Sequence, residues 1–117
     1  RPADRYDALL DDLPVIVPAR VADAHSALHL YPIQVDAARC RRSRRQVFDA
    51  LRAAGIGVNV HYIPVHTQPY YRRMGFAPGD FPRAEAYYAQ AISLPMFATL
   101  TDAQQDEVVA ALRRALA

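Results

Sequence analysis

Gly55-Ile56-Gly57-Val58-Asn59-Val60-His61-Tyr62-Ile63-Pro64-Val65-His66-Thr67-Gln68-Pro69-Tyr70-Tyr71 is the stretch on which the chain turns. Gly55 ends a helix. Ile56 to Val60 place Ile, Val and Val at alternating positions, the period of a strand. Two histidines, a proline-set bend and a tyrosine pair follow. A strand that runs into a polar, aromatic loop is where α/β proteins place binding sites. The rest of the chain reads as scaffold for that loop.

Upstream of it, Ser43-Arg44-Arg45-Gln46 matches a capping box, with Ser43 as N-cap and Gln46 reaching back. The helix it opens runs to Ala54, with Val47, Ala50, Leu51 and Ala54 as its buried stripe. Gly55 is then the C′ residue, free to take the left-handed conformation. Five arginines (Arg39, Arg41, Arg42, Arg44 and Arg45) precede or open this helix. Cations there oppose the macrodipole, so helix stability does not account for them. They suit a phosphate or an acidic partner. No aromatic side chain interleaves with them as a single-strand binder requires, and no nucleic-acid partner is expected.

Nearer the N-terminus, Tyr6, Leu9, Leu10 and Leu13 follow a 3–4 spacing, the end of an amphipathic helix over Asp4–Leu13 closed by Pro14. No cap precedes it, which reads as a cut through a longer helix. Val15-Ile16-Val17 is a short apolar run with the character of an edge strand. Ala27 to Val35 reads as the next strand, with Pro32 favouring an edge or a bulge. His25 and His29 at its start read as ordinary surface or half-buried histidines.

Downstream, Gln68 to Arg73 reads as a short helix ended by Gly75. Asp80 is the expected N-cap of a helix opened by Phe81-Pro82, with Ala84, Tyr87, Tyr88 and Ala91 inward. Ile92-Ser93-Leu94 reads as a strand broken by Pro95. Thr101 to Gln104 is a second capping box, and the last helix buries Val108, Val109, Leu112 and Leu116. The expected fold class is α/β (α+β): a small three-stranded, mainly antiparallel sheet covered by helices. Its strands are 27–35, 56–60 and 92–94.

Composition narrows the chemistry. All fourteen basic residues are arginine, so no Schiff base and no P-loop can rest on a lysine of this chain. The lone cysteine, Cys40, excludes an internal disulfide and fits a reducing, cytoplasmic setting. No apolar run approaches a membrane span. His61 and His66, five apart, match no zinc spacing, and no metal site is expected. What remains is recognition. His61, Tyr62, His66, Tyr70 and Tyr71 offer ring nitrogens, hydroxyls and flat faces suited to a sugar or nucleotide. The competing reading is that the tyrosines pack on the domain and the histidines cap loop carbonyls.

The stretch 55–71, with Gly79-Asp80-Phe81-Pro82, Ala84-Glu85 and Ile92-Ser93-Leu94-Pro95-Met96-Phe97 before Thr101, closely resembles the C-terminal part of the DegT/DnrJ/EryC1/StrS sugar aminotransferases. The loop is closest to the PseC type, which aminates C4 of a UDP-linked 4-keto-6-deoxy N-acetyl sugar on the route to pseudaminic acid. The resemblance implies the small C-terminal domain of a fold-type I enzyme. Residues 1–13 would end a linking helix and residues 14–117 form the domain. Pyridoxal 5′-phosphate and its lysine would lie upstream, leaving no catalytic residue here and a chain inactive alone. It further implies glutamate as amino donor, a homodimer, and His61, Tyr62 and His66 as sugar contacts, with Tyr70 and Tyr71 behind them. Thr67 stands where many relatives have Leu, and Ala91 where many have Arg. The alternative is a free-standing α/β module that binds a nucleotide or an acidic partner through Arg39–Arg45.

Overall fold

The computed structural model describes residues 1–117. Its elements are α1 (Pro2–Leu9), β1 (Val15–Ile16), β2 (Tyr31–Val35), α2 (Arg44–Ala53), a 3-10 turn (Val65–Thr67), α3 (Pro69–Arg73), α4 (Pro82–Gln90), β3 (Ala91–Leu94) and α5 (Asp102–Leu116). The sheet runs β1-β2-β3 and both pairings are antiparallel, with Val15 opposite Val35 and Ile33 opposite Ile92. This is the expected α/β class, with one strand exchanged.

The capping boxes set the two longest helices. Ser43 Oγ accepts the Gln46 N–H at 3.1 Å and Gln46 Oε1 accepts the Ser43 N–H at 2.9 Å. Thr101 and Gln104 repeat the arrangement at α5. Each box satisfies two N–H groups that a helix start otherwise leaves open. Val47 and Leu51 of α2 and Leu112 of α5 are fully buried, and Val108, Val109 and Leu116 of α5 are buried. Ala54 is exposed, because it caps the helix just before Gly55 turns the chain at φ 83°.

Tyr31, Ile33 and Val35 of β2 point into the core with Ile92 and Leu94 of β3. The core also takes Ala3, Tyr6, Leu10 and Leu13 from α1 and the turn after it. The Tyr6 and Tyr31 rings lie 4.8 Å apart, and each hydroxyl is satisfied: Tyr6 donates to the Pro95 carbonyl at 2.8 Å and Tyr31 to Asp7 at 2.6 Å. Burial pushes the Tyr6 phenol up to about 12. α1 ends at Leu9 rather than Leu13; its last apolar residues reach the core from a turn.

Three strand expectations change. β2 starts at Tyr31, not Ala27, since Leu28 adopts a positive φ of 53° that breaks extended backbone. Pro32 lies in the central strand, not at an edge. It faces Ser93, whose own N–H and carbonyl both turn away to Asn59. Pro32 therefore sits at a position where β3 asks for no donor, and two-residue β1 ends before reaching it on the other side. The run 56–60 makes no strand: only Asn59 pairs, in an isolated bridge to Ser93. Arg52 of α2 takes the Val58 carbonyl at 3.2 Å, and the Val58 side chain is buried, so this run is pinned to helix and core instead of extending a ladder. The third strand is Val15–Ile16.

α4 also differs. Its N-cap is Phe81; Asp80 instead accepts the Ala77 N–H at 2.8 Å inside the preceding turn. Ala84 is exposed, Tyr87 and Tyr88 are half-buried, and Ala91 is already the first residue of β3. No residue of α4 is fully buried.

Leu112 is 0% exposed. Leu112→Ala is expected to lower unfolding free energy by about 2–5 kcal/mol, read from the urea midpoint. The Arg113 guanidinium holds the Asp12 carboxyl below the usual range, and Arg39 does the same for Asp36. A depressed folded pKa stabilises above the unfolded value, near 3.9 for Asp, and that contribution fades as pH falls through the folded value. Stability should therefore drop on acidification below about pH 4, and less steeply in Asp12→Asn. Equal slopes in urea melts across that range would contradict this.

Candidate functional site

The loop 60–71 is fastened at its start by β3. Ser93 N–H donates to the Asn59 carbonyl at 2.7 Å and Asn59 N–H to the Ser93 carbonyl at 3.3 Å. Two residues on, His61 Nδ1 lies 2.8 Å from the Ser93 hydroxyl. One strand residue thus orients both backbone and imidazole. The Tyr62 ring meets the His61 ring edge-on at 4.7 Å, and Tyr62 is 71% exposed. Ile63 and Val65 are exposed beside it.

Pro64 begins the descent. Its carbonyl accepts both the Thr67 N–H at 3.0 Å and the Thr67 hydroxyl at 2.7 Å, closing the 3-10 turn. This turns His66 inward: it is 7% exposed, its ring lies 4.8 Å from Phe81, and its Nε2 lies 3.2 Å from Glu85 Oε2. Pro69 then opens α3. Tyr70 is exposed, while Tyr71 is half-buried and packs edge-on to Tyr70 at 5.1 Å and toward Phe76 at 6.3 Å.

Four of the five candidates form two groups. His61 and Tyr62 form one unit on Ser93. His66 and Tyr71 line an apolar cleft of about 390 Å³ with Val65, Phe76, Phe81 and Ala84. Tyr70 stands outside that cleft, against Tyr71. Of the five, Tyr62 and Tyr70 are open to solvent and His66 is enclosed.

Two residues with clear geometric roles escaped the sequence reading. Ser93 reads as a strand residue, and only its polarity between Ile92 and Leu94 hints at a partner. Glu85 carries the signal of an acid in the first turn of a helix. Its carboxylate accepts the Gly79 N–H and the Phe81 N–H besides facing His66. The Gly79 hydrogen bond, ahead of the His66 contact, holds it below the usual carboxylate range.

The arginine cluster is largely engaged within the chain. Arg39 binds Asp36 at 2.8 Å and the Val15 carbonyl at 3.0 Å. Arg42 donates to the Ala117 carbonyl, Arg44 lies over the Tyr88 ring, and Arg45 pairs with Asp49. His25 and His29 line a separate open cleft of about 410 Å³ with Met96 and Phe97. That cleft contains none of the five candidates. The chain has no lysine amine for pyridoxal phosphate, so its residues do not themselves form the covalent cofactor site.

Comparison with known proteins shows the family. A model of the DegT/DnrJ/EryC1/StrS aminotransferase family matches residues 1–113. The spore coat polysaccharide biosynthesis protein SpsC of Bacillus subtilis is 38% identical over 114 residues, covering 95% of this chain and 29% of SpsC. Among solved structures, the sugar aminotransferase Spr1654 of Streptococcus pneumoniae in its PMP form superposes with a TM-score of 0.88 at 28% identity, over 97% of this chain and 29% of that one. Helicobacter pylori PseC, an aminotransferase of pseudoaminic acid biosynthesis, gives 0.84 at 26% identity over 98% of this chain and 31% of its own. The chain thus spans less than a third of the length of these relatives. Members of the family use pyridoxal phosphate, and Spr1654 is known in both PLP and PMP forms. With its sequence matched over residues 1–113 and its fold shared with solved sugar aminotransferases, this chain belongs to the DegT/DnrJ/EryC1/StrS aminotransferase family.

Proposed function

We propose that this chain is the substrate-side small C-terminal domain of a pyridoxal-phosphate nucleotide-sugar aminotransferase, with residues 1–13 ending the linking helix and residues 14–117 forming the domain. The substrate of this reading is a UDP-linked 4-keto-6-deoxy N-acetyl sugar, aminated at C4 with glutamate as donor. The whole enzyme is a cytoplasmic homodimer, and the 117 residues alone are inactive. The likeness to Spr1654 across 97% of the chain carries the reading, and the likeness to PseC supports the choice of sugar.

The cofactor, bound by the rest of the enzyme, supplies the electron sink for transamination. This chain's own residues bind and orient. His61 is held by Ser93, which leaves one imidazole nitrogen, Nε2, for a sugar hydroxyl or phosphate oxygen. Tyr62 offers a flat ring and a phenol at the crest of the loop. Tyr70 and Tyr71 extend the aromatic surface along α3. His66, enclosed against Phe81 and Glu85, contributes by shape and by holding the turn. Exposed Ile63, Val65, Met74, Phe76 and Phe81 give this region the apolar character of a face that docks on another protein surface.

His61→Ala and Tyr62→Phe in the full-length enzyme are each expected to cut kcat/KM for the nucleotide sugar about tenfold or more, with the melting temperature little changed. Unaltered kinetics in both would remove the loop from the substrate site. The 117-residue chain, incubated with cofactor, glutamate and nucleotide sugar, should give no amino-sugar product by mass spectrometry.

A further inference from the structure

Glu85 joins two segments that the backbone leaves unconnected. No backbone hydrogen bond links residues 61–68 to residues 76–90. The Glu85 carboxylate accepts the Gly79 N–H at 2.9 Å and 2.8 Å and the Phe81 N–H at 3.4 Å, and His66 Nε2 lies 3.2 Å from Oε2. Gly79 has a φ of 96°, open to glycine at little cost, which aims its N–H into the carboxylate. Glu85 stands in the first turn of α4, where the helix field favours a negative charge. Phe81, the N-cap residue, covers the His66 ring at 4.8 Å, so the imidazole contact is sheltered on one side.

At its other end the loop is hydrogen-bonded to Ser93, through the Asn59 backbone and the His61 ring. The bonds of Thr67 to Pro64 are internal to the turn and hold it to nothing outside. The side-chain contact of His66 with Glu85, backed by the Phe81 ring, is what fixes the turn against α4.

We propose that Glu85 is a positioning residue for the substrate loop: through His66 it sets the placement of the segment carrying His61 and Tyr62, without touching the substrate itself. The inference rests on the aminotransferase reading for its kinetic consequence. Its structural part stands on the carboxylate's four hydrogen-bond contacts. A loop released at one end still contains every binding group, but it spends part of its time out of register, and misplacement of about an ångström is costly in a site. The loss should fall on binding more than on turnover.

The test compares Glu85→Ala, Glu85→Gln and Asp80→Ala. Asp80→Ala removes a carboxylate bond from the same 77–81 turn, the one to the Ala77 N–H, but does not reach His66. In the full-length enzyme, Glu85→Ala is expected to raise the nucleotide-sugar KM about tenfold with kcat within about twofold. Glu85→Gln, which keeps an oxygen for the Gly79 N–H, should raise it less, and Asp80→Ala should stay near wild type. In the 117-residue chain, amide exchange at residues 62–68 should quicken about tenfold in Glu85→Ala and hold steady in Asp80→Ala. Unchanged exchange in Glu85→Ala, or equal quickening in Asp80→Ala, would overturn the proposal. Should Glu85→Ala not fold, exchange at 62–68 in Glu85→Gln decides: faster than wild type supports the proposal, identical overturns it. A wild-type enzyme without nucleotide-sugar turnover would defeat the aminotransferase reading, and the exchange comparison would still decide whether Glu85 holds the loop.

Discussion

Ser93 and Asn59 exchange two backbone hydrogen bonds, at 2.7 and 3.3 Å, and the position of the loop 60–71 depends on that exchange. Each such bond contributes only about 0.5–1.5 kcal/mol net to stability. Its effect is geometric. β3 is buried along its whole length, so Ser93 is a rigid anchor, and a chain leaving Asn59 can start in only one direction. The Ser93 hydroxyl then extends the same constraint to the His61 ring. Pro32 follows from it too, because a residue whose strand partner bonds elsewhere needs no N–H.

The molecule separates its apolar core from the region of residues 60–90. α1, α2, α5 and the sheet share one apolar core of 21 residues, from Ala3 to Leu116. Among residues 60–90, only Pro64 and His66 are buried. α4 has no buried residue and α3 has none. These elements are held by specific polar and aromatic contacts: Glu85 to the Gly79 turn, His66 against Phe81, Tyr71 toward Phe76. A region with few buried apolar contacts opens more readily than the core it rests on.

The arginine cluster illustrates how charge in sequence and charge in space diverge. Five arginines within seven positions suggest an anion site, yet Asp36, the Ala117 carbonyl, Tyr88 and Asp49 each engage a different one of them. Tyr88 and Ala117 come from parts of the chain that a local window does not contain.

Local chemistry alone determined much of this protein. The two capping boxes, the Gly55 helix end, Pro69 and Pro82 at helix starts, and the buried stripe of α5 rest on contacts within about four residues, which sequence spacing states directly. The family was also legible, because the order of residues in the stretch 55–71 and in Ile92–Phe97 resembles its members directly. The choice of the remaining strand beside β2 and β3 was not. Val15–Ile16 and Ile56–Val60 are both short apolar runs, and the choice between them was made by pairing with Gln34 and Val35 and by the hold of Arg52 on the Val58 carbonyl. Nor was the fate of His66 and Glu85, nineteen residues apart. Their contact forms only once the 3-10 turn and α4 are brought side by side. Alternation and capping express forces within one element, whereas strand pairing and side-chain contacts between elements depend on which surfaces the packed core brings together.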